Sequence, residues 1–287
     1  MTNERERPMS DFDPVTQDQP SDLNFPASIV PAMFESFGCK LFGTMFLAAG
    51  EGLHPVIILL HGFPGNEVNY DLAHVFRRQG FNVLVFHYRG SWGSGGNYLW
   101  SSLVEDVSSS INFVKSDYAQ SIYHVDPNKI ILIGHSMGGF ASLFNAIRND
   151  DIKFAASLAG FNAGMFGELI ESNKTIFEYS AQHIQPAMDF VKCDSAEILL
   201  NELIANKKDW NLLNYLEKLS SKNLLIIGAK FDTTTPIEIH HKPLISSLKM
   251  TNAKNVEEMI LETEHSFSDK RIALARRISE WLSEIKF

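Results

Sequence analysis

Three short segments of this sequence carry side chains that together could break an acyl bond. The first is Gly134-His135-Ser136-Met137-Gly138, and Asp232 and His265 follow it in that order. A serine hydroxyl is a weak nucleophile until a neighbouring base takes its proton, and a carboxylate behind that base fixes its tautomer. The order Ser, Asp, His therefore predicts Ser136 as nucleophile, His265 as base and Asp232 as the residue that orients the base.

The residues around Ser136 predict a sharp turn between a strand and a helix. Residues 129–133 are apolar and rich in β-branched side chains, a pattern typical of a buried strand. Residues 139–148 carry apolar side chains at helical spacing. The turn would raise the hydroxyl above the sheet edge, and the backbone N–H of Met137 would then face a developing oxyanion. A Gly/Ser turn without chemistry is the alternative.

The two partner residues come just after predicted strands. Asp232 follows the apolar residues 224–228, and His265 lies in a polar loop beyond the strand predicted at 256–261. Parallel strands end at one edge of a sheet, where open α/β folds place their sites. We therefore expect both side chains near Ser136, although Asp232 as a turn residue and His265 as a solvated loop residue stay open as alternatives.

Among the other histidines of the ten in the chain, His54, His74, His124 and His183 lie in no motif. His135 lies inside the serine motif, and we expect its side chain to point away from the hydroxyl. His240 and His241 are adjacent, so on a helix they would diverge by about 100° and could not bind one metal ion together. We therefore predict no metal site and no required cofactor.

Strand and helix patterns alternate along most of the chain, which predicts an α/β fold with a mostly parallel twisted sheet covered by helices on both faces. The alternation stops over 161–222, where the patterns are helical, and this stretch is interpreted as a cap inserted into the fold. The catalytic core would then comprise residues 31–160 and 223–287. Residues 1–30, which are charged and rich in proline, could form a disordered N-terminal tail or wrap the surface of the domain, and their composition favours the tail.

Composition excludes several classes of function. The chain has 25 basic and 34 acidic residues, and its formal net charge of −9 argues against nucleic acid and anionic membranes as partners. Two cysteines and the lack of an apolar signal-like segment favour a cytoplasmic protein. Oligomeric state and the natural substrate stay open.

The glycine-rich residues 88–96 lack the Gly-Lys-Ser/Thr of a phosphate loop and the spacing of a dinucleotide motif. They are expected to line one wall of an acyl pocket, with Trp92 as a candidate substrate contact.

From about Phe34 to its C-terminus the chain resembles the α/β-hydrolases, and within them the small esterase and acyl-peptidase-like members. The resemblance is carried by His61-Gly62-Phe63-Pro64-Gly65, Tyr88-Arg89-Gly90-Ser91, Gly134 to Gly139, Asp232 and His265. It implies the backbone N–H of Phe63 as the second donor of an oxyanion hole, because Pro64 has no N–H.

These observations predict a serine hydrolase that cleaves a carboxylic ester through an acyl-enzyme on Ser136. The expected partner is a small-molecule ester or a short acyl-peptide. One alternative is a serine peptidase or acyl-aminoacyl hydrolase, suggested by the resemblance of residues 88–91 and 126–139. The other is a catalytically silent α/β-hydrolase that binds a small apolar molecule.

Overall fold

The computed structural model describes residues 12–251 and 253–287, and within them eight strands form one sheet in the order β1-β2-β4-β3-β5-β6-β7-β8. The strands are β1 (Ser28–Ser36), β2 (Cys39–Leu47), β3 (His54–Leu60), β4 (Asn82–Phe86), β5 (Val125–His135), β6 (Phe154–Leu158), β7 (Asn223–Ala229) and β8 (Val256–Leu261). The pairs β1/β2 and β2/β4 are antiparallel, and the remaining pairs are parallel. The predicted mostly parallel α/β sheet is confirmed.

Helices cover both faces of this sheet. They are α1 (Tyr70–Arg78), α2 (Trp100–Val114), α3 (Asp117–Tyr123), α4 (Met137–Arg148), α5 (Ala163–Ser172), α6 (Lys174–Ile184), α7 (Ala196–Ala205), α8 (Leu216–Ser220), α9 (His241–Met250) and α10 (Arg271–Glu284), with 3-10 turns at Gln185–Phe190 and Leu212–Tyr215. The apolar side chains of α1 and α10 pack on one face, and those of α2, α4 and α9 pack on the other.

The central strands are apolar because both of their faces are covered. In β3 the residues from Val56 to Leu60 are fully buried, and β5 is buried from Ile131 to Ile133. Each such side chain contributes about 1.5–3 kcal/mol to folding by leaving water. The carboxyl ends of these strands therefore lie on a core that is buried on both faces.

Strand β5 is longer than the sequence indicates. The residue types Asp126-Pro127-Asn128 predict a turn, and this prediction is wrong, because these residues lie within β5, which begins at Val125. At its other end β5 reaches His135 and α4 begins at Met137, so the nucleophile candidate Ser136 is the single residue between strand and helix.

Residues 161–222 run from the end of β6 to the start of β7 and contain helices α5 to α8 and the two 3-10 turns. The segment expected as a tail contacts the body of the protein within its described part. Arg78 donates to the Pro14 carbonyl over 2.7 Å, Arg276 pairs with Asp13 over 3.0 Å, and β1 already begins at Ser28. None of the described helices has both the length and the apolar character needed to cross a lipid bilayer.

Candidate active site

Ser136 occupies a backbone conformation that side-chain-bearing residues rarely adopt, with φ 57° and ψ −120°. The turn is tight on both sides of it. A Cβ at Gly134 would overlap the carbonyl of Gly138, and a Cβ at Gly138 would overlap the carbonyl of Leu60. Glycine is required at both positions because backbone atoms occupy the space, and the serine is thereby held at the carboxyl end of β5.

Asp232 and His265 meet beyond the ends of β7 and β8. The His265 Nδ1 atom lies 2.6 Å from Asp232 Oδ2, and the backbone N–H groups of Thr234 and Thr235 each donate to Oδ1 over 2.8 Å. Burial acts to raise the pKa of Asp232, but the hydrogen bonds and the charge of His265 outweigh it and lower the pKa. The carboxylate is therefore ionised at neutral pH and accepts from Nδ1.

Ser136 and His265 are brought to the same edge of the sheet through His135. The His135 Nε2 atom donates to the main-chain carbonyl of His265 over 2.9 Å, and the two imidazole rings lie 4.8 Å apart. Within the described residues no hydrogen bond joins the Ser136 hydroxyl to His265. Hydrogen bonds of catalytic groups often tighten when substrate binds.

His135 is a residue whose place in the site the sequence analysis missed. It does not bond the serine hydroxyl, but its ring contacts His265 instead of leaving the site. Burial lowers the pKa of His135 to about 4, so the ring is neutral and carries its proton on Nε2. The position of His135 directly before Ser136 indicated that it lies near the site. The residue type alone could not show that its ring binds the His265 carbonyl.

The two proposed oxyanion donors lie on segments that contact each other. A Cβ at Gly62, directly before Phe63, would lie 3.0 Å from the Ser136 Cβ, so this loop runs against the serine turn. The Tyr98 hydroxyl donates to Met137 Sδ over 2.8 Å, and its ring lies 5.6 Å from that of Phe63. Among the backbone hydrogen bonds of the turns and loops in the described chain, none is donated by the N–H of Phe63 or by that of Met137.

Trp92 joins this loop to the helical segment. Its Nε1 donates to the Pro64 carbonyl over 2.7 Å, and its ring stacks on Phe190 with centroids 5.4 Å apart and an interplanar angle of 14°. The Trp92 side chain is 41% exposed. An apolar aromatic surface of this kind suits contact with a ligand entering from solvent.

His240 is a second residue that the sequence analysis set aside. The N–H of Phe161 donates to the Ser136 carbonyl over 3.2 Å, and the next N–H, of Asn162, donates to His240 Nδ1 over 3.1 Å. Burial lowers the pKa of His240 to about 4, while Asp232 acts to raise it. His240 thus lies beside the candidate triad.

No three His, Cys, Asp or Glu side chains gather into a possible metal site within residues 12–251 and 253–287.

The sheet order, the strand-turn-helix at Ser136 and the meeting of Asp232 with His265 beyond β7 and β8 define an α/β-hydrolase. The BD-FAE family model matches residues 46–242. The chain therefore belongs to the BD-FAE family within the α/β-hydrolase superfamily, whose esterase and peptidase members it resembles.

Individual proteins share this architecture. The uncharacterized protein YfhR of Escherichia coli K12 is 28% identical over 221 residues, which are 75% of this chain and 64% of YfhR. The acylaminoacyl peptidase of Pyrococcus horikoshii superimposes with a TM-score of 0.68 at 17% identity, covering 91% of this chain and 43% of the peptidase. A Pyrococcus furiosus esterase gives a TM-score of 0.63 at 20% identity, covering 97% and 96%. The chain spans just under two thirds of the length of YfhR, and the two structures show a shared fold.

Proposed function

We propose that this protein is a serine hydrolase that cleaves a carboxylic ester through an acyl-enzyme on Ser136, with His265 as base and Asp232 as orienting carboxylate. The observation that carries the proposal is the 2.6 Å contact between His265 Nδ1 and Asp232 Oδ2, at the sheet edge where Ser136 projects from its turn. Because Nδ1 is committed to Asp232, Nε2 is the nitrogen left to accept the serine proton.

In the first half of the reaction the Ser136 Oγ attacks the ester carbonyl while His265 Nε2 takes its proton. The backbone N–H groups of Phe63 and Met137 would then stabilise the oxyanion, and each such donor contributes roughly 100- to 1,000-fold to the rate. The imidazolium returns its proton to the leaving alcohol, and an acyl-enzyme remains. Water, activated by the same imidazole, releases the acid and restores Ser136.

Helices of the segment 161–222 would cover this site as a cap, and Trp92 would form part of the substrate surface. The stacking of Trp92 on Phe190 supports this, because Phe190 belongs to that segment and Trp92 to the core. The small-molecule ester would enter beside these rings.

The test is covalent labelling with a fluorophosphonate, followed by turnover of p-nitrophenyl butyrate. We expect labelling at Ser136, its loss in Ser136→Ala, and its retention in Ser221→Ala, which removes an exposed hydroxyl at the end of α8. Labelling at another residue, or none in a folded protein, would contradict the mechanism and favour the silent binding protein.

The peptidase alternative is supported by the fold shared with an acylaminoacyl peptidase. It predicts faster turnover of an acyl-aminoacyl anilide than of the butyrate ester, again dependent on Ser136. With this result the proposed triad would stand, and the proposed substrate class would change from esters to acyl-aminoacyl amides.

A further inference from the structure

His240 has one ring nitrogen committed to the protein and one without a protein partner. Nδ1 accepts from the backbone N–H of Asn162 over 3.1 Å, so Nδ1 carries no proton and Nε2 does. The tautomer is thereby fixed. Within the described chain no residue accepts a hydrogen bond from Nε2, and although the residue as a whole is only 3% exposed, this nitrogen is not sealed from solvent.

Hydrogen bonds connect His240 to the turn that carries Ser136, the proposed nucleophile. Two consecutive backbone donors connect the serine turn to His240, since Phe161 N–H reaches the Ser136 carbonyl and Asn162 N–H reaches Nδ1. The His240 ring also lies 5.2 Å from the Phe161 ring and 6.2 Å from that of Phe166. Both phenyl rings are half-buried, so part of each is open to solvent.

Because solvent reaches Nε2, its hydrogen is a donor that a bound ligand can use in place of water. The neutrality of the ring matters as well. Burial lowers the pKa of His240 to about 4, so this group is a neutral donor at the pH of any ordinary assay. It can neither act as a base through Nδ1 nor present a positive charge.

Resting on the proposed function, we infer that His240 is a substrate-binding residue whose Nε2–H donates to an oxygen on the acyl group, and that the preferred substrates are esters of acids with an ether, hydroxyl or oxo oxygen near the scissile carbonyl. The surrounding aromatic rings would bind the apolar remainder of the acyl group. A site built around a donor discriminates against an analogue that lacks the matching acceptor.

Two p-nitrophenyl esters test this inference directly. Methoxyacetate and butyrate have acyl groups of nearly the same shape, and they differ by an ether oxygen in place of one methylene. Their unequal intrinsic reactivity cancels when the methoxyacetate-to-butyrate ratio of kcat/KM is compared between variants rather than within one protein.

Two substitutions distinguish the roles of the two ring nitrogens of His240. In His240→Asn the amide oxygen replaces Nδ1 as acceptor but nothing replaces the Nε2–H, whereas in His240→Gln the amide donates from near the Nε2 position. We expect the ratio to fall about 3- to 10-fold in His240→Asn and to stay within about 2-fold of wild type in His240→Gln. His241→Asn is the matched control, because His241 pairs with Glu258 over 3.1 Å, and it should leave the ratio unchanged.

The outcomes distinguish a failure of this inference from a failure of the proposed function. An unchanged ratio in His240→Asn, with both esters affected equally, would reduce His240 to an anchor for Asn162 and overturn the inference while leaving the serine mechanism intact. Failure of the wild type to hydrolyse either ester would overturn the proposed function and the inference with it.

A measurement on the wild type keeps the test independent of folding of the variants. The Nε2–H resonance of His240 should move downfield in histidine-labelled protein when Ser136 carries a methoxymethyl phosphonate, and it should move less with a propyl phosphonate. Equal positions in the two adducts would contradict the inference.

Discussion

The imidazole of His135 donates from Nε2 to the main-chain carbonyl of His265, with 2.9 Å between the two atoms. The residue directly before the proposed nucleophile thus holds the loop that carries the proposed base. The contact connects the Ser136 turn to the His265 loop without involving the hydroxyl of Ser136 or the imidazole of His265.

We expect His135→Phe to lower kcat about 10- to 100-fold on p-nitrophenyl butyrate while KM changes less than about 3-fold, because misplacing a reacting group by a fraction of an ångström has effects of that size. His135→Gln should recover part of the loss, since its amide can donate from a similar position. Equal activity of His135→Phe and wild type would remove the positioning role.

Asp232→Asn should lower kcat by roughly 1,000- to 10,000-fold while the fold is retained. The amide oxygen can still accept from the N–H groups of Thr234 and Thr235, but the amide nitrogen would face His265 Nδ1 and reverse its tautomer. Steady-state kinetics and the melting temperature check both parts. Asp194→Asn, which changes a carboxylate of the helical segment, is the control, and full activity of Asp232→Asn would mean that another group orients the base.

Gly138→Ala should destabilise the protein by roughly 3 kcal/mol or prevent folding, because its Cβ would overlap the backbone carbonyl of Leu60. Gly95→Ala is the matched control, since a Cβ there would meet its nearest atoms at 3.6 Å, an ordinary contact. Urea unfolding measures both. If the two variants were equally stable, the turn at Ser136 would be looser than described.

Three deeply buried histidines should make the protein sensitive to acid. Burial lowers the pKa of His61 to about 3, and it lowers the pKa of His135 and of His240 to about 4 each. The unfolded chain, with histidine pKa values near 6.5, takes up protons that the folded chain does not, so the free energy of unfolding falls as the pH falls below about 6.5.

Each of these histidines contributes a slope of about 1.4 kcal/mol per pH unit between its unfolded and folded pKa values. Urea unfolding at several pH values from 7.5 to 5 measures the summed pH dependence of the free energy of unfolding. In His61→Asn this pH dependence should fall by the contribution of one histidine. A free energy of unfolding that is constant over this range would show that these rings take up protons in the folded state over the same pH range as in the unfolded chain.

Glu202 on α7 connects the helical segment to the core. Its carboxylate accepts from the backbone N–H groups of Trp100 and Ser101 over 2.6 and 3.0 Å, at the first turn of α2. We expect Glu202→Gln to weaken this contact by about 1 kcal/mol and to speed amide hydrogen exchange in α5 to α7 about 5-fold.

The control for that variant is Glu171→Gln, which removes a pair with Lys207 at the surface over 2.8 Å, where ion pairs contribute little. Exchange rates that rise equally in both variants would mean that Glu202 has no special part in attaching the segment.

The amino-acid sequence by itself determined the α/β class and the expectation of a site formed by Ser136, Asp232 and His265. These features follow from local patterns: apolar runs define buried strands, glycines define the turn, and parallel strands end at one edge. Local patterns also placed a helical segment over 161–222, but they did not indicate that residues 126–128 extend β5 or that Asp13 and Pro14 contact the helices.

Only the tertiary structure decided which histidines lie beside Ser136, the proposed nucleophile. His135 reaches His265 across 130 positions, and His240 reaches Asn162 across 78. Such contacts depend on how loops from separate strands pack and on which ring nitrogen meets a backbone group. Their physical origin is burial, which lowers the pKa of each ring and keeps it neutral, and burial at a given position is a property of the folded chain.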